Sequence, residues 1–117
     1  MPLYLFLISV MMIGLFYIND EKLQDELDLA RMHFWLDDKE NLRFFRLSIL
    51  DLLGENSNLY KFLNSPGITS EEIVGTIKCL LSDGRRAIFD ELLRLMNIPE
   101  FTKGRILKGL KEKYNDN

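Results

Sequence analysis

The chain is poor in the residue types that build reactive centres. One cysteine, Cys79, excludes an internal disulfide and a cysteine-based zinc cluster. One histidine, His33, excludes a multi-histidine metal site. Asn56-Ser57-Asn58 and Asn64-Ser65-Pro66 come nearest to a glycosylation acceptor, and neither is one. No glycine-rich loop is present to cradle phosphates. The carboxylates lie scattered along helix faces rather than at metal-ligand spacing. His33 has Asp37 and Asp38 nearby in sequence, but nothing marks a pocket around it, and general-base work needs one. No catalytic residue, cofactor site or metal site is therefore expected, and the chain is read as non-enzymatic. Cys79, in Lys78-Cys79-Leu80-Leu81, is expected to be a buried inert thiol.

Charge is also missing from one long stretch. Residues 2–18 contain no Asp, Glu, Lys or Arg, although 28% of the 117-residue chain is charged. As a helix this run would span about 25 Å, the short end of what crosses a bilayer. Tyr4 and Tyr17 stand near its ends, where amphipathic rings favour a membrane–water interface. The preferred expectation is a single-pass membrane anchor over 1–19. Its lipid-facing residues would be Leu3, Leu5, Phe6, Leu7, Ile8, Val10, Met11, Met12, Ile13, Leu15, Phe16 and Ile18. The sparse cations after the run lean toward a cytoplasmic bundle. Two alternatives compete. A cleaved signal would want a cation before the run and small residues at its end, and has neither. The central helix of a bundle would be apolar all round because it is surrounded.

The remainder, 20–117, reads as about five or six short helices, giving an all-α fold. Period-2 alternation is absent and β-branched residues are sparse. Over 20–36, Leu23, Leu27, Ala30 and Phe34 recur at helical spacing, and Met32, Phe34, Trp35 and Leu36 form an apolar patch. Asp37 or Asp38 caps a helix over 39–53 with Leu42, Phe45, Ile49, Leu52 and Leu53 inward and Arg43, Arg46 and Asp51 outward. Gly54 stops it. A short helix over 58–64 carries Leu59, Phe62 and Leu63, and Asn64-Ser65-Pro66-Gly67 breaks the chain.

Thr69-Ser70-Glu71-Glu72 is the clearest cap, a capping box opening a helix to about Leu81. That helix would bury Ile73, Ile77, Leu80 and Leu81. Ser82-Asp83-Gly84 turns the chain into a helix over 84–96 with Ile88, Leu92, Leu95 and Met96 inward. A last helix, 100–114, carries Ile106, Leu107 and Leu110 among Lys and Arg. The end, 114–117, is expected to fray.

The total charge of −3 hides an asymmetry. Residues 82–117 hold eight cations against six anions, which leaves −5 for the rest. Arg85 and Arg86 at a helix start, with Lys103, Arg105 and Lys108 on the last helix, are the candidate contacts for an anion or a partner. Residues 98–113 resemble the second half of a helix-hairpin-helix, or a SAM-type terminal helix, with Glu100 where the hairpin places a glycine. That resemblance implies that Lys103, Arg105 and Lys108 meet phosphates or acidic partners.

Three functional readings follow. The first is a membrane-anchored interaction protein, a small subunit or assembly factor of a larger membrane complex. The second is a helical-bundle regulator that binds partner helices in a groove. The third is a nucleic-acid-binding module using Arg85, Arg86 and the basic last helix.

Overall fold

The structure, a computed structural model, describes residues 20–116. Six helices account for most of them: α1 (Asp20–Leu36), α2 (Lys39–Leu53), α3 (Asn58–Leu63), α4 (Ser70–Ser82), α5 (Ala87–Met96) and α6 (Glu100–Lys113). No strand occurs among the described residues, so the all-α expectation holds.

The expected single-pass membrane placement is corrected. Among the described residues no helix is long and apolar enough to cross a membrane. α1 has 17 residues and carries acids and bases throughout its length, Asp25, Glu26, Asp28 and Arg31 among them. The run 2–18 on which that placement rested, from Leu3 to Ile18, lies outside the described residues.

Two compact units meet within α1, between Ala30 and Arg31. In the described part of the first, Leu23 and Leu27 are exposed, whereas Leu29 and Asp28 are buried. Gln24 Nε2 donates to Asp28 Oδ1 at 3.3 Å. The second unit begins with Met32 and Leu36 buried and Phe34 83% exposed. The apolar spacing of Leu23, Leu27, Ala30 and Phe34 therefore marks the outer face.

Within the second unit, α2 is the central helix. Asp38 caps it, its carboxylate accepting from the Glu40 and Asn41 amides at 2.8 and 3.2 Å. α2 packs on both α3 and α6. Two neighbours require a broad buried surface, so Phe44, Phe45, Leu47, Ser48, Ile49 and Leu50 are all buried. The expected stripe was too narrow at its start and too long at its end. Leu52 is 58% exposed, and Leu53, also exposed, lines a groove with α3, α4 and α5 instead of entering the core. Trp35 leans on Phe44 with ring centroids 6.5 Å apart, an edge-tilted pair.

α4 opens at Thr69, whose Oγ1 accepts from the Glu72 amide at 3.2 Å. The same hydroxyl donates to the Glu72 carboxylate at 3.0 Å. α4 ends in a Schellman motif: the Arg85 amide reaches the Leu80 carbonyl at 2.8 Å and the Gly84 amide the Leu81 carbonyl at 3.0 Å. Gly84 takes φ +76°, a left-handed conformation that costs a residue with Cβ. This motif consumes Gly84 and Arg85, so α5 starts at Ala87, later than the spacing predicts. Phe89 enters the core with Leu92 and Leu95, while Ile88 and Met96 stay half-buried. Ser70 Oγ, itself buried, donates to Asp37 Oδ1 and ties the start of α4 to the α1–α2 turn.

The end of the chain is held where fraying was expected. Asn115 adopts φ +52° and the Asp116 amide bonds back to the Lys111 carbonyl at 2.8 Å, a second Schellman closure. Asp51 of α2 accepts from Lys113 Nζ at 2.7 Å and Tyr114 Oη at 2.8 Å. Arg43 Nε lies 3.2 Å from Asp116.

The Lys113 hydrogen bond, then that of Tyr114, holds the Asp51 carboxyl below its ordinary value, against a smaller opposing effect of desolvation. Lys113 and Tyr114 are both raised, chiefly by the same hydrogen bonds to Asp51. A lowered acid stabilises the fold above its free pKa, about 4, and the gain disappears as pH falls through the depressed value. The raised groups stabilise below about 10, and their gain disappears as pH rises through the elevated values. Asp51→Ala is expected to remove both limbs. The Tyr114 ring resonances should then sit at free-chain positions at neutral pH, as the wild type should show only at the acidic and alkaline extremes.

Candidate functional site

The candidate contacts do not form one patch. Arg85 and Arg86 line an apolar groove, and Lys108 lines a separate charged cleft with Glu40, Lys111, Glu112 and Asp116. Arg105 lies over the ring of Phe101, 5.9 Å from its centroid, and Phe101 is 78% exposed.

Lys103 points inward. It is only 9% exposed, and its Nζ donates to Asn41 Oδ1 at 2.7 Å. Its charge is met by Glu100 at 3.1 Å. Asn41 in turn donates Nδ2 to the Trp35 carbonyl at 3.0 Å. A buried ammonium needs such partners, because desolvation otherwise costs several kcal/mol. Lys103 is thus committed to joining α6 to α2, and the contact set implied by the helix-hairpin-helix resemblance lacks one of its cations. The sequence signal was its place at i, with Leu107 and Leu110 at i+4 and i+7 on the buried face.

Cys79 is exposed, not buried as expected, because α4 turns Ile73 and Ile77 inward and leaves Lys78 and Cys79 outside. His33 is exposed as well. No group of three or more potential metal ligands occurs among the described residues.

The groove differs from the Lys108 cleft in being lined mainly by apolar side chains. Leu53 from the end of α2, Leu59 and Phe62 of α3, Thr76 and Leu80 of α4, and Ala87 and Ile88 of α5 line about 670 Å³. That volume falls within the range of small-ligand sites. Its lining exposes mainly apolar surface. Sequence reasoning placed Leu53, Leu80 and Ile88 in the core. They are in fact exposed or half-buried, because α3 is only six residues long and leaves the ends of its neighbours uncovered.

The two arginines are neighbours in sequence and share one stretch of the groove's lining. The Schellman motif fixes the Arg85 backbone against Leu80, and Arg86 is the residue before α5. The Arg86 guanidinium lies 5.0 Å from the Phe89 ring centroid and 3.8 Å from the Asp90 carboxylate, a long pairing that leaves it 44% exposed. α5 has no side-chain cap, so its first amides add positive potential beside Arg86.

No known protein family, curated protein or solved structure matches the chain. The fold is an all-α helical bundle, and it carries an apolar groove with two arginines in its lining.

Lys103→Ala is expected to cost about 1–3 kcal/mol in urea unfolding, because Asn41 Oδ1 loses its donor. The double change Lys103→Met with Asn41→Leu should recover most of that loss, since the Trp35 carbonyl keeps the Asp38 amide at 3.3 Å.

Proposed function

We propose that this chain is a non-enzymatic binding module whose groove receives an amphipathic helix of a partner protein. The partner's apolar residues lie between α3, α4 and α5, and its acidic residues meet Arg85 and Arg86. The observation that carries this reading is the pairing, in one site, of a mainly apolar lining with two sequence-adjacent arginines. Helix-in-groove recognition needs that combination. Leu, Phe or Ile side chains at i, i+3 or i+4, and i+7 fill the trough, and charge sets direction. The groove accommodates two or three such side chains, so affinity rests on a few anchors rather than a broad interface.

Charge complementarity selects the partner's sign. Arg85 is exposed beside an apolar wall, and arginine fits carboxylates in a two-pronged geometry. An acidic residue on the edge of the partner helix, one turn from its first anchor, is positioned to use it. The exposed Phe101 with Arg105 is a second surface, but neither residue lines the groove.

The test uses a labelled synthetic helix of about 14 residues with Leu anchors at the stated spacing and Glu on the flanks. A matched peptide has Lys in place of Glu. Fluorescence anisotropy should show saturable binding of the Glu peptide alone. Phe62→Asp should abolish it, and Arg85→Glu should weaken it about tenfold, with thermal melts verifying that both variants fold. Equal binding of the two peptides, or no effect of Phe62→Asp, refutes the assignment.

A further inference from the structure

A third concave site, remote in sequence from Arg85 and Arg86, has the opposite balance of features to the groove. It runs between the outer face of α2 and the turn joining α3 to α4. Lys39, Arg43 and Arg46 form one wall and Asn64 to Ile68 the other, around about 610 Å³. The spacing 39, 43, 46 is i, i+4, i+7, so the three cations share a helix face. We infer that this cleft binds a small phosphorylated molecule, held through its phosphate.

The charges decide the ligand. Of the groups lining the cleft, Glu40 is already engaged by Lys111 at 3.3 Å. Arg43 is partly neutralised by Asp116 at 3.2 Å. Lys39 and Arg46 have no acidic partner among the described residues. Two uncompensated positive charges remain in a protein whose total is −3. A phosphomonoester carries nearly two negative charges at neutral pH and three acceptor oxygens. Arg46 is half-buried, which lowers local screening and suits a two-pronged contact with phosphate.

The facing turn is closed by a backbone hydrogen bond. The Ile68 amide closes it on the Ser65 carbonyl at 3.2 Å, with Pro66 and Gly67 in the middle positions. Gly67 has φ +71°, as the third residue of a type II turn requires. The closing bond uses Ile68, so the Gly67 amide is not consumed by it. Ser65 Oγ makes only a long 3.4 Å bond to the Lys61 carbonyl and can turn to a ligand. Leu42, Pro66 and Ile68 supply apolar surface beside the cations. The cleft therefore suits a phosphate ester with an apolar body better than phosphate alone.

The experiment titrates the full chain with inorganic phosphate, phenyl phosphate and phenol, at constant ionic strength, and follows backbone and arginine Nε resonances. Saturable shifts at the Gly67 amide and Arg46 Nε are expected with both phosphates, tighter for phenyl phosphate, and absent with phenol. Arg46→Gln and Lys39→Gln should each raise the phenyl phosphate Kd about tenfold. Lys108→Gln, on a different cleft, should leave it unchanged. If shifts fail to saturate, or Lys108→Gln weakens binding as much as Arg46→Gln, the site does not exist. If inorganic phosphate binds as tightly as phenyl phosphate, the ligand class narrows to the free anion and the apolar part of the inference fails. Peptide binding in the Phe62 groove is read independently and is not affected by either outcome.

Discussion

The bundle depends on α6 lying along α2. Four polar groups of α2, Glu40, Asn41, Arg43 and Asp51, are answered by a residue of α6 or just beyond it. Lys103 answers Asn41, Lys111 answers Glu40, Lys113 and Tyr114 answer Asp51, and Asp116 answers Arg43. Of these, the Lys103 to Asn41 bond is the one removed from water, so it is the one whose loss is felt most. The others are exposed or partly exposed ion pairs and one tyrosine hydrogen bond, each of small individual worth. Their value lies in register: a shift of α6 by one turn would break them together. Leu107 and Leu110 supply the apolar part of the same seam.

That seam leaves the other side of α2 to α3, which is too short to cover its neighbours. The shortness has a visible cause. Ser57 caps α3 at its start, and Pro66 two residues beyond Asn64 prevents its continuation. The uncovered ends of α2, α4 and α5 then frame the groove, and the turn after α3 frames the cationic cleft. Both concave features thus trace to one six-residue helix and the breaker that follows it.

Much of the fold was readable from the sequence because local chemistry and tertiary packing agree. Asp38, Thr69 and Gly84 act where capping and turn rules place them, and five of the six helices begin within a residue or two of expectation. The misses share a physical origin. Leu23, Leu27 and Phe34 have helical spacing, but periodicity gives a face and not its direction. Leu52, Leu53 and Leu80 are apolar at correct spacing, yet burial depends on how far a neighbour extends. Cys79 was read as buried from its place beside Leu80 and Leu81 on an amphipathic helix, but it falls on the outer face with Lys78. The tail was judged by its position at the end, and the partners of Tyr114 and Asp116 lie more than 60 residues away in α2, a separation local rules cannot see. Of the candidate site, Arg85 and Arg86 were found from their setting at a helix start. The trough beside them was not, since a groove belongs to the arrangement of helices and not to any one of them.

The pairing of α2 with α6 has a consequence for synthesis. During translation α2 leaves the ribosome with Phe44, Phe45 and Ile49 made, and its covering helix is still some 50 residues from emerging. At ordinary elongation rates that interval lasts several seconds, far longer than a helix takes to form. Throughout it, α3 can dock on its side of α2, while the side that Leu107 and Leu110 will cover waits for the last helix to be made.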